Sequence, residues 1–310
     1  MNTLQSALRD YVMLRRALGF KFREQEQSLT QFVSFLNARG ARCITTPLAL
    51  EWAVQPAQAK PARWAQRLSY IRGFARHLQA EYPDTQLPST QLIPARFMRA
   101  KPYLYTEEEI GRLMAAAKEL SPGNRLPGLS YYCLFGLLAV TGLRIGEALA
   151  LRRDDVDLDN GVLTIRGTKF GKSRLVPLHL STQRMLRRYA RQRDAWIGGP
   201  RSPYFLVAKE GGRLWGPTVR VAFYDLSRQI GLRGQSDRTG PRLHDFRHRF
   251  AVETLLRWYR GGQNIETHLP ALSTYLGHCS VQNTYWYLSA CPQLMGAAAQ
   301  RLEKRWEVRS

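Results

Sequence analysis

A mainly α fold with a small antiparallel β-sheet (α+β), divided between two domains, is what this sequence predicts. Three observations carry it. Apolar residues recur at helical spacing over most of the chain, a tight-turn signal sits between two short strand-like runs, and a proline-rich polar stretch at 82–102 separates two helical regions. The 310 residues, 44% of them hydrophobic, suffice for two cores, which excludes a disordered tail or a miniprotein.

The first helix is read from Leu4, Leu8, Tyr11, Val12 and Leu18, and a second covers 29–36. Thr46-Pro47 reads as an N-cap with Pro at the first helical position, leading into Leu48, Leu50, Trp52 and Val54. A fourth helix over 63–78 sets Trp64, Leu68, Ile71, Ala75 and Leu78 on one stripe and leaves Arg63, Arg67 and Arg76 largely off it. That basic face suits a DNA backbone; arginines that merely keep a surface solvated are the other reading. Residues 1–95 are taken as this helical domain and 96–105 as a linker, inside the stretch marked by Pro83, Pro88, Pro94 and Pro102. The second domain, 106–310, opens on Thr106-Glu107-Glu108-Glu109, a capping box ahead of Ile110, Leu113 and Met114. The apolar run 131–140 falls well short of the ~20 residues that span a bilayer and reads as a buried core helix. Asp159-Asn160-Gly161 is the turn signal, with strands over 162–165 and 174–178. From Pro292 through Leu294, Met295, Ala297 and Leu302 to Trp306 runs an amphipathic helical pattern, suited to its own domain or to a neighbouring copy.

The charge points to a polyanion. Against 24 Asp and Glu stand 46 Lys and Arg, a formal +22, and the basic residues are spread along the chain rather than gathered in an arm. The folded surface therefore carries the field, as in a groove that holds nucleic acid. RNA fits the charge, but no aromatic RNA-recognition motif is present. A membrane partner is not expected. The opening Met-Asn-Thr-Leu-Gln-Ser lacks a basic segment followed by an apolar one, so the expected location is the cytoplasm, at the nucleoid. Cys43, Cys133, Cys279 and Cys291 form no CxxC pair, which argues for reduced thiols rather than a zinc site or a disulfide framework.

Four pieces bear chemistry: Thr141-Gly142-Leu143-Arg144-Ile145-Gly146-Glu147; the strand-turn-strand around Lys169; His244-Asp245-Phe246-Arg247-His248; and Leu276-Gly277-His278 followed by Tyr285-Trp286-Tyr287. Taken singly each has a bland reading: a surface arginine, a solvated lysine, a structural histidine. His278-Cys279 and His244-Asp245 have no metal-ligand spacing around them. Together and in this order the four pieces resemble the tyrosine recombinases, the family of phage integrases and Xer resolvases. The resemblance covers 106–288 closely, and the N-terminal part looks like that family's helical, SAM-like core-binding domain.

The resemblance implies that 106–310 is a catalytic domain that cuts and rejoins DNA through a 3′-phosphotyrosyl intermediate. It puts the active-site arginines on Arg144 and Arg247, with Glu147 bracing the first, and the histidines on His244 and His278. The hairpin lysine aligns best with Lys169, and Lys172 is the alternative. The family's nucleophile lies nine residues beyond the Leu-Gly-His histidine, which selects Tyr287 over Tyr285. Two guanidiniums suit the charge that builds on two non-bridging phosphate oxygens. A tyrosine with an ordinary pKa near ~10 needs nearby cations and a base, and a lysine suits protonation of the leaving 5′ oxygen.

No cofactor or metal is implied. The expected partners are double-stranded DNA bearing specific recombination sites, a homo- or hetero-tetramer formed on that DNA, and in some systems a second recombinase. Arg63, Arg67 and Arg76 of the fourth helix, with Lys172 and Arg174, are expected to touch DNA. The ending Tyr-Trp-Tyr-Leu-Ser-Ala resembles integrases of mobile elements, and so implies integration or transposition. One departure stands out: His278 lies 34 positions after His244, more than compact members use, with Trp258-Tyr259-Arg260-Gly261-Gly262 in the extra stretch. The alternatives are a type IB topoisomerase-like enzyme and a catalytically silent DNA-binding architectural or regulatory protein.

Overall fold

In the computed structural model, residues 3–95, 101–120, 125–167, 173–237, 239–290, 294–296 and 299 are described. The chain divides into two compact units, Met1–Ala100 and Lys101–Ser310.

The first unit holds α1 (Leu4–Ala17), α2 (Arg23–Ala38), α3 (Thr46–Val54) and α4 (Pro61–Leu78). Leu8, Phe32, Leu36, Trp52, Ile71 and Phe74 fill its core. Leu18 differs from expectation. The α1 helix ends at Ala17 and Gly19 takes a left-handed φ of +83°, so Leu18 turns outward and is 57% exposed. The N-cap of α3 is Thr45, not Thr46: its hydroxyl accepts from Leu48 N at 3.5 Å, and Pro47 falls at the second helical position, where its missing N–H costs nothing.

The second unit is built around α6 (Arg125–Thr141). Cys133, Leu134, Phe135, Leu137 and Leu138 are all buried, so the helix is apolar on every side and must be covered on every side. Its covers are α5 (Glu107–Lys118), α8 (Leu180–Ile197) and α10 (Asp245–Arg260). The α5 helix starts as the sequence predicts, with Thr106 Oγ1 accepting from Glu109 N at 3.1 Å and Glu109 Oε2 accepting from Thr106 N at 2.8 Å. Among the described residues no helix is long and apolar enough to cross a membrane.

The sheet is β1 (Val156–Asp157), β2 (Val162–Ile165) and β3 (Arg174–Pro177), antiparallel in that order. Leu163 faces Val176 and Ile165 faces Arg174. Because side chains alternate between faces, the buried Leu163, Ile165 and Val176 put Arg174 on the core side and leave Leu175 out, 65% exposed. A short α7 (Ile145–Ala148) follows α6 and α9 (Gly216–Gln229) follows α8, while α11 (Ile265–Leu276) and α12 (Gln282–Ala290) close the unit. The C-terminal half of α10 packs with α11 and α12 in a second core of Val252, Leu255, Leu269, Leu272 and Tyr287.

Candidate active site

The site grows from two helix ends. At the end of α6, Thr141 bonds its hydroxyl back to Leu137 O at 2.6 Å, and Gly142 stops the helix at φ +61°. A Cβ there would lie 2.7 Å from Phe250 Cδ1, so the chain turns tightly against α10 only because residue 142 is glycine. Arg144 then caps α7: Glu147 Oε1 accepts from its Nη1 at 2.8 Å, and Glu147 Oε2 from its backbone N at 3.1 Å. Its side chain stays 38% exposed.

At the end of α11 three successive carbonyls each accept from a different arginine. Tyr275 O takes Arg174 Nε at 2.7 Å, Leu276 O takes Arg247 Nη2, and Gly277 O takes Arg144 Nη2 at 3.1 Å. The last carbonyls of a helix lack intrahelical partners and carry the negative end of its dipole, which makes this turn a natural seat for guanidiniums. Arg247 also donates to Gly142 O at 2.9 Å and is 1% exposed. Burial, then the neighbouring Arg144, pulls its pKa down to about 10, so it stays charged at neutral pH. Glu147 is the carboxylate shared by Arg144 and Arg174. Burial works to raise its pKa, but the guanidiniums of Arg174 and Arg144 outweigh that and hold it below the usual value.

Three histidines and a tyrosine complete the cluster. Tyr287, 3% exposed on α12, has its ring centroid 6.0 Å from that of His278 and 5.4 Å from that of His248. His278 Nδ1 and Thr284 Oγ1 share a hydrogen bond of 2.8 Å. His244 lies at the start of α10, its ring 4.7 Å from that of His248. Loss of water and the nearby Arg247 lower the pKa of both His244 and His278, that of His278 to about 4. His248 is lowered further, to about 3, by burial and then by His244. A half-buried imidazole kept neutral can accept a proton; an arginine pair kept charged can hold an anion.

The sequence matches the phage integrase family over residues 104–293. The chain belongs to that family, the tyrosine recombinases. It is 52% identical over the whole of both chains to y4rB of Sinorhizobium fredii, a protein whose name assigns it to the integrases and recombinases. It is 31% identical to the tyrosine recombinase XerD of Caulobacter vibrioides, over 73% of this chain and 70% of that one. Its fold is that of the Tn1549 transposon integrase in complex with transposon right-end DNA (TM-score 0.65, 16% identity, 96% and 98% of the chains). It is also that of a lambda integrase dimer bound to a core site (TM-score 0.62, 19% identity, 92% and 77%).

Set in this recombinase, the residues singled out from the sequence divide cleanly. Arg144, His244, Arg247, His278 and Tyr287 come together, whereas Tyr285 points away and is 49% exposed. Lys169 and Lys172 lie outside the described residues, as do Pro292, Ala297, Leu302 and Trp306. Trp258-Tyr259-Arg260 is the last turn of α10, and Gly261 and Gly262 begin the link to α11. Arg174 has its side chain 9% exposed and bound to Glu147 and Tyr275 O. Two of the α4 arginines are also engaged: Arg63 pairs with Glu24 at 2.7 Å, and Arg67 lies 3.5 Å from the Trp52 ring centroid, while Arg76 is exposed.

Sequence reasoning passed over His248 and Thr284 as site members. The His-x-x-Arg-His run marked the first, and Thr284 lies six residues after His278, within reach once α12 turns back. Beside His244 opens a cleft of about 510 Å³, lined by Ile145, Leu149, Arg213, Trp215, Arg220 and Arg242 among others, with Trp215 70% exposed at its mouth. Among the described residues no group of three His, Cys, Asp or Glu side chains is arranged to hold a metal ion.

Proposed function

We propose that this recombinase is an active site-specific enzyme that breaks and rejoins double-stranded DNA through Tyr287. The observation that carries the reading is the convergence of Arg144, Arg247, His244 and His278 on the end of α11 beside the Tyr287 ring. The scissile phosphate binds against the Arg144 guanidinium, which remains partly open to solvent, and against Arg247 behind it. Tyr287 Oη attacks phosphorus and gives its proton to a neutral histidine of the cluster, His244 or His278. The bond to the 5′ oxygen breaks, and that oxygen takes a proton from Lys169, leaving a 3′-phosphotyrosine and a free 5′-hydroxyl. Attack by a partner strand's 5′-hydroxyl reverses the step and joins strands in a new combination. Fixed cations in a site with little water stabilise the developing charge more than water would.

The lambda integrase tetramer bound to a Holliday junction, which shares the fold, supports a tetramer on two duplexes here. Integration or transposition by a mobile element fits the likeness to the Tn1549 integrase. The α4 face, with Arg76 foremost, and the basic cleft beside His244 serve the DNA backbone, and a cytoplasmic, nucleoid location follows from that substrate.

The test is a pool of nicked duplexes with randomised centres, incubated with the full chain and scored for a denaturant-stable protein–DNA adduct. Wild type and Tyr285→Phe form the adduct, and Tyr287→Phe forms none. If the wild-type chain retains duplexes without forming an adduct on any of them, the enzyme reading fails and an architectural role takes its place.

A further inference from the structure

We infer that Arg174 is a positioning residue for the cleavage step: a buried fork that holds Arg144 and the turn leading to His278 in one register. The inference rests on the reading of function above. Arg174 stands on β3 opposite Ile165, on the core face, where an apolar residue is the ordinary occupant. Its donors go to two other segments. Nη1 and Nη2 meet Glu147 Oε1 at 3.1 Å and Oε2 at 2.7 Å, and Nε meets Tyr275 O at 2.7 Å.

Glu147 Oε1 is the same atom that accepts from Arg144 Nη1 at 2.8 Å, so Arg174 fixes the carboxylate that fixes Arg144. The second acceptor of Arg144, Gly277 O, is held from the same side. A Cβ on Gly277 would lie 2.8 Å from Arg174 Nη1, so the glycine backbone rests directly on this guanidinium. Both contacts that aim Arg144 therefore lead back to Arg174. His278 follows Gly277 in the chain, so its position depends on the same turn. Lysine cannot replace the fork, since one ammonium cannot meet two carboxylate oxygens in plane and a carbonyl on a third line.

The test uses the full chain and the duplex recovered from the adduct pool, comparing wild type, Arg174→Ala and Arg174→Lys in single-turnover adduct formation and in duplex affinity. Both variants are expected to slow adduct formation by roughly ten- to a hundredfold while affinity changes less than about threefold. Guanidinium ion at low millimolar concentration should restore part of the rate to Arg174→Ala and none to Arg174→Lys. A methylphosphonate at the scissile position, which lacks the charge Arg144 meets, should shrink the penalty in both.

A wild-type rate in Arg174→Lys overturns the inference, and this variant serves even if Arg174→Ala fails to fold. So does a loss that guanidinium does not relieve and that is equal on both linkages, the pattern of a purely structural residue. A wild-type chain that binds duplex but forms no adduct overturns the functional reading and this inference with it. A wild-type adduct with an indifferent Arg174 overturns the inference alone.

Discussion

Both units are rich in arginine, and they use it in opposite ways. On α4 of the first unit Arg76 is open to water, Arg63 reaches an exposed Glu24, and Arg67 lies over the face of Trp52. In the second unit Arg247 is buried, Arg174 largely so and Arg144 half open, and their acceptors are the Glu147 carboxylate and the carbonyl ends of α6 and α11. Water and salt screen a surface guanidinium, so what it adds is field. A buried one cannot be screened or rotated without leaving acceptors bare, so what it adds is geometry. Changes on α4 should therefore alter affinity and its salt dependence, whereas changes around α11 should alter rate and stability.

The largest effect is expected at Arg247. Arg247→Ala leaves Gly142 O and Leu276 O without their buried donor and removes a cation from the proposed phosphate site. Adduct formation should fall by roughly 10²–10³, and urea unfolding should show a loss of about 2–4 kcal/mol. An Arg247→Ala chain that is slow but as stable as wild type would erase the distinction between field and geometry.

Acid should separate the two units next. The pKa values of His248 and His278 are pushed down to about 3 and about 4 by burial and neighbouring cations, against a model-peptide value of about 6.5. As pH falls below the unfolded value, the unfolded chain takes up these protons before the folded one does. The stability tied to the neutral imidazoles is thus whole above about 6.5 and is lost progressively as pH falls towards about 4 and then about 3. The first unit contains one histidine, His77. Hydrogen exchange at pH 7.5 and pH 5 should show protection falling in α10, α11 and α12, with α1–α4 little changed. His248→Phe should flatten that dependence, and equal loss in both units would refute the account.

Much of this was legible in the chain. The capping box at Thr106, the core helix through Leu134 and Leu138, and the five residues that converge were all marked by local pattern or by motif. The direction of Arg174 was legible too: Val176 faces the core, and the two-residue period of a strand sends Arg174 the same way. Thr284 belongs to the site only because α12 folds back against α10 and α11, a long-range packing that no local spacing encodes, whereas His248 follows from its place one turn after His244 on α10. Leu18 followed the apolar period but fell one residue past the last turn of α1, where periodicity no longer dictates direction.

The smallest effects, on α4, sharpen the contrast most finely, because three arginines of one helix should behave in three ways. Arg76, exposed, should contribute a phosphate contact: Arg76→Ala is expected to weaken duplex binding about equally across sequences and to reduce the slope of log affinity against log salt by about 1. Arg63 must leave Glu24 to reach a phosphate, so Arg63→Ala should change that slope by less. Arg67 packs its guanidinium on Trp52 and donates to Trp52 O at 2.8 Å, so Arg67→Ala should lower the melting temperature and leave the slope unchanged. Fluorescence anisotropy over a salt series, with a thermal melt of each variant, separates the three. A slope change for Arg67→Ala equal to that for Arg76→Ala would mean that α4 presents its arginines as one undivided field, and that burial does not sort their roles in this unit as it does around α11.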